Sequence, residues 1–508
     1  MAPLPQPAPA MLSPSNLSFS PSPSFPPISP NQQFFDFLTV RLQNMSLPHW
    51  NPLDYDGHGV APQIAATAWI DSIPKHQTMS FDQLTQRYAL AVFYFSTGGE
   101  DWWYEDSVKW LSEEDECRWQ IEENILSPSY GAIWGSETAG VVCDDDDDDG
   151  GGGVVAIYLS RFGIYGYLPD ELILLSNLES LDLTSNVLWI SSRLGELSRL
   201  QFLSLNECDI SGTIPTELSN LTSLTILDLE NNYISGSIPT EFGNLKRLEY
   251  LSLGHNFITG ALPTEVGLMT TLQFLNLASN MINGTLPTEL GRTTMLTKLD
   301  LTNATVAGTL PTEVGQLTNI EYLLLDRCML TGTIPTEVGF LTTLIVLSMI
   351  ENSAVVGPIP SEIGRLTDLQ YLALNENYLN STVPTSIGQL SSLQILALAN
   401  NLFDGAPATE IGMLESLEEL NLSRNFFEGP LPNLDSLTNL TRLMLHGNVF
   451  DGTIPSEFGN LISMKDLRLQ SNRLTGTVPS ELEEMLDLRH MYLYDNANMT
   501  GSISDTIC

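Results

Sequence analysis

Residues 224–247 read LTILDLENNYISGSIPTEFGNLKR, and the next stretch, from Leu248, reads LEYLSLGHNFITGALPTEVGLMTT. Both obey L-x-x-L-x-L-x-x-N-x-I-x-G-x-[IL]-P-T-E-x-G. Self-similarity at a fixed period of this size means stacked copies of one small unit. The Asn position recurs at Phe162, Asn186, Cys208, Asn232, Asn256, Asn280, Ala304, Cys328, Asn352, Asn377, Asn401, Asn425, Asn448, Asn472 and Asn496, which makes 15 copies. Most steps are 24 residues, and the turns at Ser353–Gly357 and Ala497–Gly501 each carry one residue more between Asn and Gly.

Within a copy, the L-x-L pair alternates with period two, as a short strand does. Leu227 and Leu229 are expected to point inward, and Ile226, Asp228 and Glu230 outward. Stacked copies then form a parallel sheet with strands ~4.8 Å apart, so fifteen span roughly 70 Å before curvature. An Asn turned inward at the strand end can bond backbone groups that no sheet partner reaches. Cys208 and Cys328 at that position read as small structural substitutes. After the Gly, the I-P segment runs extended, and Thr-Glu opens a short helical turn whose positive end suits the carboxylate. No copy can bury its own apolar edge, so each needs a neighbour.

This signature resembles the plant-type leucine-rich repeat of receptor-like kinase ectodomains and cell-wall inhibitor proteins. The G-T-I-P-T-E-x-G-x-L-T dialect is similar to leucine-rich-repeat proteins of diatoms and other stramenopiles. The resemblance covers roughly residues 84–508. It implies an α/β solenoid: a curved right-handed superhelix of about 15 repeats, a parallel sheet on the concave face and a helical N-terminal cap. It also implies a non-catalytic module, because such repeats are scaffolds whose ligands are chosen by variable positions.

The expected organisation is a Pro/Ser-rich disordered tail (1–31), a poorly defined segment (32–80), the cap with an acidic Asp/Gly loop (81–153), and the solenoid (154–508). The tail lacks the basic and apolar regions of a secretion signal, and no 18-residue apolar run suggests a membrane helix. In 81–97, Leu84, Tyr88, Ala91, Val92 and Phe95 recur at helical spacing. Trp102, Trp103, Trp110, Trp119 and Trp134 follow closely, and are read as the plug over the solenoid's open end rather than as a sugar-binding surface. E-C-R-W at Glu116–Trp119 and V-V-C ending at Cys143 resemble the plant-type cap, which implies a Cys117–Cys143 disulfide and an oxidising compartment. Asp144–Gly153, DDDDDDGGGG, reads as a solvated loop. The chain closes on GSISDTIC, so a longer natural product, or an incomplete cap holding Cys508, is expected.

Sixty-one acidic residues face 20 basic ones, a formal net charge of −41. Such a chain repels nucleic acid and anionic lipid at long range. Glu217, Glu241, Glu265, Glu289, Glu313 and Glu337 fall at equivalent positions and stack like charges, which salt or divalent cations would relieve. Sequons at Asn220, Asn283, Asn303, Asn380, Asn421, Asn439 and Asn498 fit a glycosylated secretory product; Asn16 and Asn44 lie upstream. None of the six histidines forms a metal or protease motif, and there is no nucleophile elbow, P-loop or kinase signature. No cofactor and no enzyme activity are expected.

What remains is the outward strand face. Its first column reads Phe202, Ile226, Tyr250, Phe274, Lys298, Tyr322, Val346, Tyr371 and Ile395. Aromatic anchors of this kind are enriched at protein interfaces. The same face changes sign along its length, from Asp182, Glu207, Asp228 and Glu230 to Arg424, Arg442, His446, Arg468 and His490. The basic end is expected to suit an anionic ligand. The function expected is therefore recognition of a protein, peptide or glycan on the concave face of a receptor-like or adhesive extracellular module. The alternatives are a cytoplasmic interaction scaffold and an inhibitor of a cell-wall hydrolase.

Overall fold

The computed structural model describes residues 62–74, 79–102, 110–112, 114, 116–119, 139–144, 152–352 and 354–501. The tail 1–31, Asn16, Asn44, Trp103, Trp134, Asp145–Asp149 and Cys508 lie outside them.

Each repeat is a three-residue strand, a turn through the Asn, a second short extended piece, and a 3-10 turn. In the repeat that decides the fold these are Ile226–Asp228, Asn232, Tyr233–Gly236 and Thr240–Asn244. Pro239 caps the 3-10 turn in extended conformation, with φ −61° and ψ 134°. Proline fixes that φ and has no N–H to leave unsatisfied. The Gly of T-E-x-G is required by close approach: a Cβ on Gly267 would fall 2.3 Å from the carbonyl oxygen of Glu289 in the next repeat. Gly236 is required by its backbone, since its φ of 78° is open to glycine at little cost, and Thr213 covers the space where a side chain would go.

The first strands of all repeats join into one 16-stranded sheet. Fifteen of its strands are parallel and in register, as in the Tyr250↔Phe274 and Leu251↔Leu275 pairs. The other, Gly140–Cys143, pairs antiparallel with Val154–Tyr158 and covers the sheet's first edge. The second strands form lateral sheets of two, four, seven and two strands, and an isolated bridge, Thr285↔Ala307, spans the gap between the four- and seven-stranded ones. A continuous apolar core runs from Ala66 to Met485.

The Asn ladder ties this together. Asn232 Nδ2 donates to Leu205 O and Leu229 O, while Asn232 Oδ1 accepts from Ile210 N of the preceding repeat. Cys208 and Cys328 donate through sulfur to Leu183 O and Leu301 O, and burial pushes both thiols up to about 12. They stay protonated and structural, as expected from their position.

Ahead of the repeats stand two helices, α1 (Pro62–Ser72) and α2 (Phe81–Ser96). The segment 32–80, left unassigned by sequence, thus contains a helix that packs on α2. Pro62 occupies the first helical position, where its missing N–H costs nothing. Ser80 and Gln83 close a capping box on α2. Trp102, Trp110 and Trp119 are buried in ring contacts with Phe93 and one another, so they plug the solenoid's end and offer no sugar-binding surface. Arg87 and Glu116 form a buried ion pair at 2.8 Å, and Cys117 and Cys143 are joined by a disulfide. Val154 N–H donates to Gln86 and Tyr165 N–H to Thr97 O, which seats the cap on the first repeat.

Candidate functional site: the inner face of the long sheet

Strand register places the first column residue against residue: Phe202↔Ile226↔Tyr250↔Phe274↔Lys298↔Tyr322↔Val346↔Tyr371↔Ile395. All are partly exposed on the open face. Tyr250 and Phe274 stack with ring centroids 4.2 Å apart and planes at 8°. Lys298 Nζ lies 5.1 Å from the Phe274 centroid and 3.5 Å from Asp300. The stack is therefore braced on its Phe274 side by Lys298 before any ligand arrives.

Beside it runs an acidic patch. Asp228, expected to point outward into solvent, is only 4% exposed. The period-two rule gives its direction correctly, but polar neighbours close over it: Asn206 donates to its Oδ2 and Glu230 N–H to its Oδ1. Burial pushes its pKa up to about 6, helped by the charges of Glu230 and Asp182. Burial also raises Asp182. Glu230 accepts from Ser252 at 2.7 Å, and Glu207 from Ser185 at 2.7 Å. Burial, then Asp228 and Glu230, raise the Tyr250 phenol, so it stays a neutral donor.

The other end differs from the anion site that its arginines suggest. Arg442 pairs with Glu419 across the strand boundary. Arg468 binds both oxygens of Asp466 through Nε at 3.0 Å, with Nη2 at 2.7 Å. His446 is pushed down by burial and by Arg424 and Arg468, so it adds little charge near neutrality. His490 is exposed and stacks on Tyr492 at 6.3 Å. Among the described residues, Arg424 alone of the predicted arginines has no salt bridge.

Six sequon asparagines are exposed; Asn421 is half-buried on the inner face, and its Oδ1 accepts from Ser423. Along the glutamate ladder, Glu241 and Glu265 accept hydroxyl hydrogen bonds from the preceding Thr. Among the described residues no group of three or more His, Cys, Asp or Glu is placed to hold a metal ion, and no helix is long and apolar enough to cross a membrane.

Sequence reasoning missed Glu419 and Asp466, although both stand in the same column as Arg442. It also missed an exposed apolar row on the lateral sheets, including Tyr233, Phe257, Met281, Met329, Tyr378 and Phe426. Its signal was present: each of these directly follows the ladder Asn or its equivalent.

Residues 175–283 match the family model of a leucine-rich repeat region, and 367–427 and 439–461 match two further leucine-rich-repeat models. The chain is 33% identical to a leucine-rich-repeat protein of Leptospira interrogans, over 65% of this chain and 82% of that one, with TM-score 0.56. The chain belongs to the leucine-rich-repeat family. It is also similar to the plant peptide hormone receptor RGFR1 in complex with RGF2, at 30% identity and TM-score 0.64, over 69% of this chain and 60% of that one. For PEPR1–AtPEP1 the figures are 28% and 0.64, over 72% of this chain and 55% of that one. The chain thus spans less than two thirds of the length of these receptor chains. No curated protein matches.

Proposed function

We propose that this chain is the recognition module of an extracellular, receptor-like protein and binds an extended peptide or protein segment along the inner face of its sheet. The observation that carries this is the in-register, half-exposed apolar column with its prearranged Tyr250–Phe274 stack. Rigid aromatic anchors lose little entropy on binding and dominate such interfaces. Glu207, Glu230 and Asp228 beside the stack favour a ligand segment carrying basic residues. The peptide-bound receptors among the similar structures support the same reading. The Cys117–Cys143 disulfide and the exposed sequons favour the secretory route over a cytoplasmic scaffold. No catalytic step is assigned to the face.

The test is selection from a displayed peptide library against the full chain. Selected peptides should be enriched in basic residues, and Tyr250→Ala with Phe274→Ala should weaken them at least about tenfold, or ~1.4 kcal/mol. Tyr378→Ala on the lateral sheet should not. Peptides indifferent to the double variant would remove the inner face as the site. Intact mass with and without thiol alkylation and glycosidase, on protein from its native source, checks the compartment.

A further inference from the structure

The first two repeats depart from the others on the lateral side. Tyr165 and Tyr167 stand on the strand Tyr165–Tyr167, and Trp189 of the neighbouring strand, Val187–Trp189, lies opposite Tyr167. Trp189 stacks on Tyr167 with centroids 4.9 Å apart and planes at 25°, and meets Tyr165 edge-on at 5.3 Å. Yet Tyr165 is 63% exposed and Tyr167 68%, so the cluster plugs nothing. These residues stand three and five places after the ladder position. In the next three repeats those places hold Ser211, Thr213, Ser235, Ser237, Thr259 and Ala261, so the repeat itself asks for no aromatic there. The strands are pinned: Tyr165 N–H donates to Thr97 O at the end of α2, and Leu168 N–H to Trp189 O. An exposed, prearranged aromatic platform is what proline-rich segments dock on.

Such a segment enters the folded part beside the platform. Gln63, the second residue of α1, donates through Nε2 to Glu171 at 2.9 Å. Glu171 is four residues past Tyr167, a chain distance of at most ~14 Å. Of the sequence ahead of α1, residues 1–31 carry ten prolines and no Asp, Glu, Lys, Arg or His. Pro23, Pro26, Pro27 and Pro30 make two successive P-x-x-P pairs.

We infer that the platform binds the stretch Pro21–Pro30 of this same chain, with proline rings packed on the three aromatic rings. A polyproline helix has no internal hydrogen bonds, so its carbonyls are free to accept from the tyrosine hydroxyls. A chain of net charge −41 repels acidic segments, its own included, and the uncharged stretch escapes that repulsion. Reach is ample: the 30 residues between Asn31 and Pro62 extend to as much as ~100 Å. Tethering supplies an effective concentration on the order of millimolar, so the contact forms even where the isolated segment would bind with a Kd of about 0.1 mM. A proline-rich segment from another molecule has to compete with that.

The experiment uses the full chain carrying the photo-cross-linker p-benzoylphenylalanine in place of Phe25. Illumination should join position 25 to the stretch 165–189 of the same chain, with a yield that tenfold dilution leaves unchanged. Tyr165→Ser with Tyr167→Thr installs the residue types that the third repeat carries at these places, which keeps the fold, and should cut this yield at least about fivefold. Tyr378→Ala, on the lateral side far from the platform, should not. Circular dichroism checks that each variant is folded. Cross-links scattered over the molecule, an equal yield in the double variant, or cross-links between chains that vanish on dilution would each overturn the inference. So would the absence of any cross-link together with cellohexaose shielding Tyr167 from hydroxyl-radical labelling, which would make the platform a sugar site. None of these outcomes bears on the peptide-library result for the inner face.

Discussion

The early and late parts of the inner face share one backbone and one register but treat charge in opposite ways. From Ser180–Asp182 to Lys298–Asp300, carboxylates bond hydroxyls and amides without cationic partners, except Asp300 with Lys298. From Glu419–Asn421 to His490–Tyr492, arginines and carboxylates neutralise one another on adjacent positions. Net charge along a solenoid face is therefore a poor guide to its local field. A column residue acts through whichever neighbour the register brings within ~5 Å.

The core should not distinguish the two parts. Leu251→Ala and Leu467→Ala remove fully buried side chains at equivalent positions, and each should cost about 2–5 kcal/mol in chemical denaturation. Unequal losses would mean that the two parts differ in packing as well as in charge.

Next comes the acidic part's response to pH. Asp228 has a folded-state pKa of about 6 against an ordinary 3.8. Between these values the folded chain holds the proton more tightly than the unfolded one. Its contribution is therefore fully present below pH ~4 and lost as pH rises through ~6, a change of about 2–3 kcal/mol. Asp228→Asn should flatten this slope and raise the melting temperature at pH 7. An unchanged slope in the variant would show that Asp228 is not the group responsible.

A smaller effect sharpens the contrast. Asp466→Asn removes the charge that holds Arg468. With the arginine partly exposed, stability should fall by no more than about 1 kcal/mol. The late part should then gain salt-sensitive retention on heparin beads, which the unaltered chain should lack. Retention of both proteins alike would mean that the native pairing does not mask the arginines.

His446 is faced by Arg424, Arg468 and Asp466, and its pKa is held below the ordinary 6.5. As pH falls through 6.5 the unfolded chain takes up the proton first, so this residue destabilises the fold on acidification. Asp228 and His446 thus tilt the two parts in opposite senses over pH 5–6, and His446→Gln should leave the acid side of the melting profile higher than in the unaltered chain.

The repeat skeleton was legible because Leu227, Leu229 and Asn232 each have a role that recurs every turn, and fifteen recurrences average out local ambiguity. The cap disulfide came through resemblance to a known motif. Asp228's burial was not legible: alternation tells which face a side chain leaves from, but not whether Asn206 and Glu230 fold over it. The pairing of Arg468 was legible in principle, since Asp466 is two residues away on the same strand and so on the same face.

The Asn ladder has a mechanical consequence. Where an Asn is present, its amide clamps consecutive turns from both sides. At Cys208, Ala304 and Cys328 the residue offers no amide oxygen to the turn before it. At Asn377 the oxygen is present but orphaned, and Val355 N–H turns back to Asn352 O instead. The arch is therefore a series of stiff spans with softer joints, and the stretch carrying Tyr250 and Phe274 is one span between two of them. Bending concentrates at the joints, so the spacing between the two ends of the face adjusts while the geometry within each span is kept.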